Sequence, residues 1–176
     1  MSGAAGGGAS PGKLTAAAVV ARGVQRSRAP PAGGGPSTHP TEANTMLSLA
    51  DARRVIEAAE RRAEEEKQPM NIAVVDAGGN LVAHVRMDGA WMGSVDISIK
   101  KAWTSRAFDV ATRDLAKLAG PGGDFYGIHA SNDGRVMIFA GGIPLKREGQ
   151  VIGAIGVSGG SGKQDQAVAE AGAKAF

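Results

Sequence analysis

The chain has 176 residues, of which 43% are hydrophobic and 21% charged, with a formal net charge of +3 and no cysteine. This length accommodates one domain with a sizeable core. The absence of cysteine excludes disulfides, thiolate catalysis and cysteine-based zinc or iron–sulfur sites, and the lack of a run of about eighteen apolar residues argues against a membrane span.

The positive charge is concentrated at the start of the chain. Residues 1–45 carry four basic residues and one acidic residue, whereas residues 46–176 carry sixteen of each. The aromatic residues are two Trp, one Tyr and four Phe, without interleaved basic residues. A nucleic-acid surface needs a basic patch and stacking aromatics. We therefore expect no nucleic-acid partner.

Residues 1–45 contain nine Gly and five Pro, a composition typical of a disordered extension. Within it, residues 13–28 combine apolar residues near helical spacing with four basic and no acidic residues. Three interpretations stay open for this segment: an organelle transit peptide, a helix that docks the chain to a shell or other partner, or a solvated tail. We expect a cytoplasmic protein, or one in an organelle or protein compartment if the segment is a targeting peptide.

The first helix of residues 46–176 is predicted to follow Ser48. Ser48 and Asp51 have capping-box spacing, and apolar residues then recur at three- and four-residue intervals from Ala52 to Ala63. The helix is predicted to end near Lys67. The stretch from Met70 to Met87 comes next. It predicts two strands joined through a turn at Gly78 and Gly79.

Two more helices are predicted, one with Ser94 as its N-cap and a shorter one over 112–119. The segments 125–142 and 143–160 each predict strands on either side of a turn, and a last helix starts near Lys163. Short connections between successive strands favour antiparallel pairing. We therefore predict an α+β fold with a mainly antiparallel sheet of about five strands flanked by helices.

Glycines are concentrated in the stretch from Gly153 to Asp165. This stretch is not a P-loop, because five residues separate Gly156 from Gly162 and Gln164 follows Lys163. The small residues of the predicted strand leave room for a helix, another chain or a flat ligand to approach its backbone. The corner at 159–162 is expected to present free N–H groups to an anion at a helix start.

Four motifs, in order and spacing, resemble the GlcG/HbpS family, which also occurs as the C-terminal domain of PduO-type cobalamin adenosyltransferases. They are "VVDAGGNLVAHVRMDGA", "KAWTS", "AGGIPL" and "GQVIGAIGVSGG" followed by an aspartate, and the likeness covers about residues 47–176. The resemblance implies a profilin-like fold, a homo-oligomer that is often an octamer, and a heme-type ligand near the helix carrying "KKAWTS". Adenosyl transfer is not implied, because no ATP-binding domain is matched.

Heme needs an axial iron ligand or a flat apolar slot, and cations for its propionates. The resemblance implies that Thr104 contacts the ligand. His84 is a chemically reasonable iron ligand, with a partly exposed strand histidine that makes ordinary hydrogen bonds as the favoured alternative. Arg86 and Lys101 are candidate anion contacts, with solvated surface charges as the alternative. The expected binding residues are thus Thr104, Lys101, Arg86, His84, Gly141 and Gly142, with His84 as the metal ligand.

The sequence therefore predicts an oligomeric heme- or tetrapyrrole-binding protein involved in heme or iron handling or in redox response. One alternative is a cofactor-free enzyme that binds a small carboxylate through Arg86 or Lys101 and transfers a proton with His84 or an aspartate. Another is an accessory module docked to a larger assembly through residues 13–28. No catalytic residue is assigned.

Overall fold

The computed structural model describes residues 46–176. The predictions for residues 1–45, including the targeting or docking helix at 13–28, lie outside the described residues. Within the described part, none of the helices combines the length and apolarity needed to cross a membrane. The helices are α1 (Leu49–Glu65), α2 (Gly93–Ala107), α3 (Thr112–Ala119) and α4 (Gly162–Lys174), and the strands are β1 (Asn71–Asp76), β2 (Leu81–Arg86), β3 (Gly142–Arg147) and β4 (Gln150–Ser158).

Helix α1 begins at the predicted capping box. The Asp51 N–H donates to the Ser48 hydroxyl at 3.1 Å, and the Ser48 N–H donates to the Asp51 carboxylate at 2.9 Å. Burial raises the pKa of Asp51, but hydrogen bonds from Ser48, Arg54 and Arg147 outweigh burial and hold that pKa well below its usual value. The Arg147 ion pair also ties the start of α1 to β3.

The strands form one antiparallel sheet in the order β2-β1-β4-β3. Helices α1 and α4 pack on one face, over a core that includes Ile72, Val74, Ile155 and Val157. Helix α2 crosses the other face, where Ala102 packs against small residues of β1 and β4. The predicted α+β class is confirmed.

The prediction of about five strands is corrected to four. Residues 125–141 contain no strand, and two short 3₁₀ turns lie at Ile128–Ala130 and Asn132–Gly134. Residues 132–134 all have positive φ, between 52° and 69°, which is incompatible with extended backbone. The N–H groups of Met137 and Gly141 donate to side chains of helices instead of a neighbouring strand.

The glycines of β4 admit helix α2. A Cβ atom added at Gly156 would overlap the carbonyl oxygen of Ser98 and the backbone nitrogen of Ala102. Of the three interpretations of these small residues, close approach of a helix is the one that the structure shows at Gly156. The space over the middle of β4 is therefore filled by the protein itself.

Helix α2 differs from its prediction at the N-terminus. Ser94 is not the N-cap, because the helix already includes Gly93 and its first turn has no side-chain cap. Ser94 is instead a buried residue of that first turn, with 4% of its surface exposed. Its backbone N–H donates to the carbonyl of Trp91, which closes the turn before the helix.

Candidate ligand pocket

A pocket of about 440 Å³ opens at the end of β4. It lies between the N-terminal half of α2, residues 138–140, and the glycine corner that connects β4 to α4. Its apolar lining comes from Trp91, Ile97, Ile138 and Phe139. Trp91 and Phe139 are 66% and 57% exposed, so two aromatic side chains with large exposed areas stand at this pocket. An apolar pocket with a few polar groups is the usual form of a small-molecule site.

Lys101 and Asp165 form a buried ion pair that lines the same pocket. The Lys101 Nζ donates to Asp165 Oδ2 at 2.7 Å and to the Val157 carbonyl at 2.8 Å, and only 1% of Lys101 is exposed. The other Asp165 oxygen accepts from the Gly160 N–H. Burial lowers the pKa of Lys101, and the nearby Asp165 carboxylate only partly offsets that effect. Lys101 is therefore not a solvated surface charge.

Thr104 contacts the segment that leads into one wall of the pocket. Its side chain is fully buried, and its hydroxyl accepts from the Met137 N–H at 2.9 Å and lies 3.4 Å from the Arg135 carbonyl. These bonds hold the segment that continues into Ile138 and Phe139. The structure thus places Thr104 behind the pocket wall and not among the residues that line the pocket.

His84 and Arg86 lie on β2, an edge strand of the sheet. The His84 Nε2 is 3.3 Å from the Ser98 hydroxyl on α2, and burial lowers the pKa of His84, which favours the neutral imidazole. The exposed Arg86 donates from Nε to the Ala90 carbonyl, directly before Trp91 in the chain. Arg86 therefore lies beside the segment that reaches the pocket, whereas His84 is not among the lining residues.

Gly141 and Gly142 come close to Lys101. A Cβ atom at Gly141 would lie 3.3 Å from the Lys101 Nζ, and one at Gly142 would lie 2.6 Å from the Lys101 carbonyl oxygen. The structure therefore brings Gly141 and Gly142 close to Lys101, although neither glycine is among the residues that line the pocket. It keeps these residues apart from His84, because that side chain contacts Ser98 at another point of α2.

The glycine corner presents fewer free N–H groups than predicted. The Gly160 N–H donates to Asp165, and the Ser161 N–H donates to the Gln164 side chain, which completes a capping box for α4. Two of the expected anion donors are thus used within the protein. Gly162 also lines the pocket, and its N–H donates to no acceptor in the part of the chain that the structure describes.

Some pocket residues were missed from sequence. Ser94 shares a face of α2 with Lys101, seven residues later, and this helical spacing was a usable signal. Trp91, Phe139 and Ser158 had no such signal, because they reach the pocket from three separate segments. Across residues 46–176, no three His, Asp or Glu side chains are grouped as a candidate metal-ion site.

A family model for the haem degrading protein HbpS-like family matches residues 47–174. An uncharacterized 15.0 kDa protein in the dhaT-dhaS intergenic region of Citrobacter freundii is 41% identical over 124 residues, which are 70% of this chain and 87% of that protein. The corrinoid adenosyltransferase PduO of Citrobacter freundii is 40% identical over 124 residues. That match spans 70% of this chain but only 37% of PduO.

The fold is similar to that of a solved structure. The crystal structure of the PduOC:heme complex superposes with a TM-score of 0.71 at 37% identity, covering 74% of this chain and 94% of that one. The resemblance inferred from the four sequence motifs is thereby confirmed. On the family match and these similarities, the chain belongs to the HbpS-like family.

Proposed function

We propose that this chain binds heme, or a closely similar tetrapyrrole, in the pocket between Trp91 and Phe139. The observation that carries the proposal is an apolar pocket of about 440 Å³ with exposed aromatic side chains and a buried lysine in its lining. The crystal structure of the PduOC:heme complex, at 37% identity, supports heme as the ligand class.

The pocket residues fit a flat, carboxylated ring. Trp91, Ile97 and Phe139 offer apolar surface against which a porphyrin face packs. Lys101 supplies a cation inside the pocket, and Arg86 supplies another beside the Ala90–Trp91 segment. Cations of this kind pair with carboxylates such as the heme propionates.

The iron ligand is a separate part of the proposal. The pocket lining contains no imidazole, so the pocket accounts for the ring and its carboxylates but not for an axial histidine. His84 remains our candidate metal ligand because its lowered pKa favours the neutral imidazole, the form that binds metals. It lies outside the pocket lining, so its role is tested separately from that of the pocket. We assign Thr104 a positioning role through Met137, which forms the segment before the pocket wall.

Titration of the purified protein with hemin, followed by absorbance, tests the proposal. We expect a saturable shift of the Soret band. The variant His84→Ala should change the position of the bound Soret band if His84 ligates iron, whereas His129→Ala, at an exposed histidine, should not. A wild-type titration without saturation would overturn heme binding. Identical spectra for the two variants would overturn only the role of His84.

The proposed biological role is heme or iron handling, or redox response, by a homo-oligomer. Exposed Trp91, Met92, Tyr126 and Phe139 supply apolar surface that a second copy could cover. The enzyme alternative has less support. His84 and Lys101 do not converge, and Asp165 is already engaged by Lys101 and Gly160.

A further inference from the structure

Two serine hydroxyls at the pocket have no partner. Ser94 and Ser158 line it and are only 4% and 5% exposed. Neither hydroxyl makes a hydrogen bond to any residue between 46 and 176. Neither oxygen is among the fully enclosed atoms that lack a hydrogen bond, so both hydroxyls open into the pocket. Both are therefore available to a polar group of a guest.

The position of Ser158 places it beside Lys101. Ser158 pairs with Asn71 across the sheet, and Asn71 donates to the Trp91 carbonyl on the side where α2 lies. The Lys101 ammonium bonds the carbonyl of Val157, the residue before Ser158. Ser94 is on the same face of α2 as Lys101. The two hydroxyls and the ammonium thus belong to one polar floor, defined here as Ser94, Lys101 and Ser158.

The polar floor has spare hydrogen-bond donors. A lysine ammonium has three protons, and two of those on Lys101 go to Asp165 and Val157. The Gly162 N–H, at the same pocket, donates to no described acceptor. With the two serine hydroxyls, the pocket offers up to four donors to one guest group. A carboxylate accepts about four hydrogen bonds on its two oxygens.

The local charge also favours an anion. Helices α2 and α4 both begin at this pocket, through Ser94 and Gly162, and helix N-termini carry partial positive charge. Asp165 is the one acidic residue of the lining, and its charge is balanced by Lys101 and by the Gly160 N–H. The electrostatic potential that a bound ligand meets in this pocket is therefore positive.

We propose that the polar floor of Ser94, Lys101 and Ser158 is a carboxylate subsite, which anchors an apolar ligand by its acid group while Trp91 and Phe139 contact the body. For heme, the anchored group is a propionate, and this arm rests on the proposed function. A free aromatic carboxylic acid would present the same carboxylate to the subsite. The experiments below therefore distinguish a heme propionate from a free aromatic acid.

The heme arm compares hemin with hemin dimethyl ester, in which both carboxylates are blocked. The wild-type chain should bind hemin about tenfold or more tightly than the ester, because hydrogen bonds to a charged group are lost with the ester. The double variant Ser94→Ala/Ser158→Ala should weaken hemin binding by a similar factor and leave ester binding unchanged. Ser105→Ala removes a buried hydroxyl of α2 that bonds Val110 away from the pocket, and it serves as the control.

The second arm measures binding of 2-naphthoate and of 2-naphthamide by titration calorimetry, with the same variants. The wild type should prefer the acid, and Ser94→Ala/Ser158→Ala should remove that preference. Naphthoate binding without hemin binding would overturn the heme proposal but keep the subsite. The subsite would be overturned if the double variant lost affinity for hemin and for hemin dimethyl ester by the same factor. It would also be overturned if the wild type preferred neither hemin over its ester nor 2-naphthoate over 2-naphthamide. Thermal melts that match the wild type establish that each variant is folded.

Discussion

At the residue scale, the sequence identifies Lys101 as a candidate binding residue but does not reveal its partner in the fold. The family resemblance implies a ligand near the helix that carries "KKAWTS", and Lys101 is therefore a candidate anion contact, with a solvated charge as the alternative. The structure shows a third state, a buried ion pair with Asp165, which lies 64 residues further along the chain. A partner so distant in sequence is set by how α4 packs against α2, and neither spacing nor composition reports that packing.

We predict that Lys101→Met destabilises the fold by about 3–5 kcal/mol, because it leaves Asp165 buried without its cation. Chemical denaturation by urea measures the change. Lys100→Met is the matched control on the same helix, since the Lys100 partner, Asp96, has 67% of its side chain exposed. That variant should lose less than about 1 kcal/mol. Equal stabilities for the two variants would show that the buried pair is not important to the fold.

At the element scale, local signals predicted the helices and two hairpin turns well. Capping at Ser48, the turn at Gly78 and Gly79, and the turn at Glu148 and Gly149 are all present, because each depends on nearby residues. The segment 125–141 was assigned as strand because of its apolar residues. That prediction was wrong, because residues 125–135 form local turns and the N–H groups of Met137 and Gly141 donate to Thr104 and Gln166 on helices.

Gly156 is the position where α2 and β4 come closest, so Gly156→Ala should destabilise the protein by about 1–3 kcal/mol through overpacking. Because α2 carries Ser94 and Lys101, the same change should also weaken hemin binding. Gly93→Ala is the control, since an added Cβ there has no neighbour within 4 Å and alanine is favoured in a helix. Differential scanning calorimetry measures the unfolding temperatures of both variants. Equal unfolding temperatures for Gly156→Ala and Gly93→Ala would contradict the packing described for α2.

At the scale of the whole molecule, the fold class and the family were predictable, whereas the pocket was predictable only in part. Ordered motifs carry the family resemblance over most of residues 47–176, and the family match covers 47–174. The pocket is assembled from α2, residues 138–140 and the β4–α4 corner, so its shape depends on tertiary packing. For this reason the sequence did not reveal that Thr104 is outside the pocket lining and bonds the Met137 N–H.

A fragment of residues 46–176 should fold with the same unfolding midpoint and bind hemin with the same affinity as the full chain. It contains the four-stranded sheet, the four helices and the pocket described above. Circular dichroism melts and hemin titrations of both forms make the comparison. A fragment that fails to fold would show that residues 1–45 contribute to the core.

The account depends most on a planar, carboxylated ligand lying in the pocket between Trp91 and Phe139. The most direct test is the hemin dissociation constant of Trp91→Ala compared with that of Tyr126→Ala, which removes an equally exposed aromatic side chain outside the pocket. We predict that Trp91→Ala weakens binding about fivefold or more, as expected for loss of an aromatic contact of about 1 kcal/mol or more, and that Tyr126→Ala leaves it unchanged. Equal affinities for both variants and the wild type would contradict the placement of the ligand.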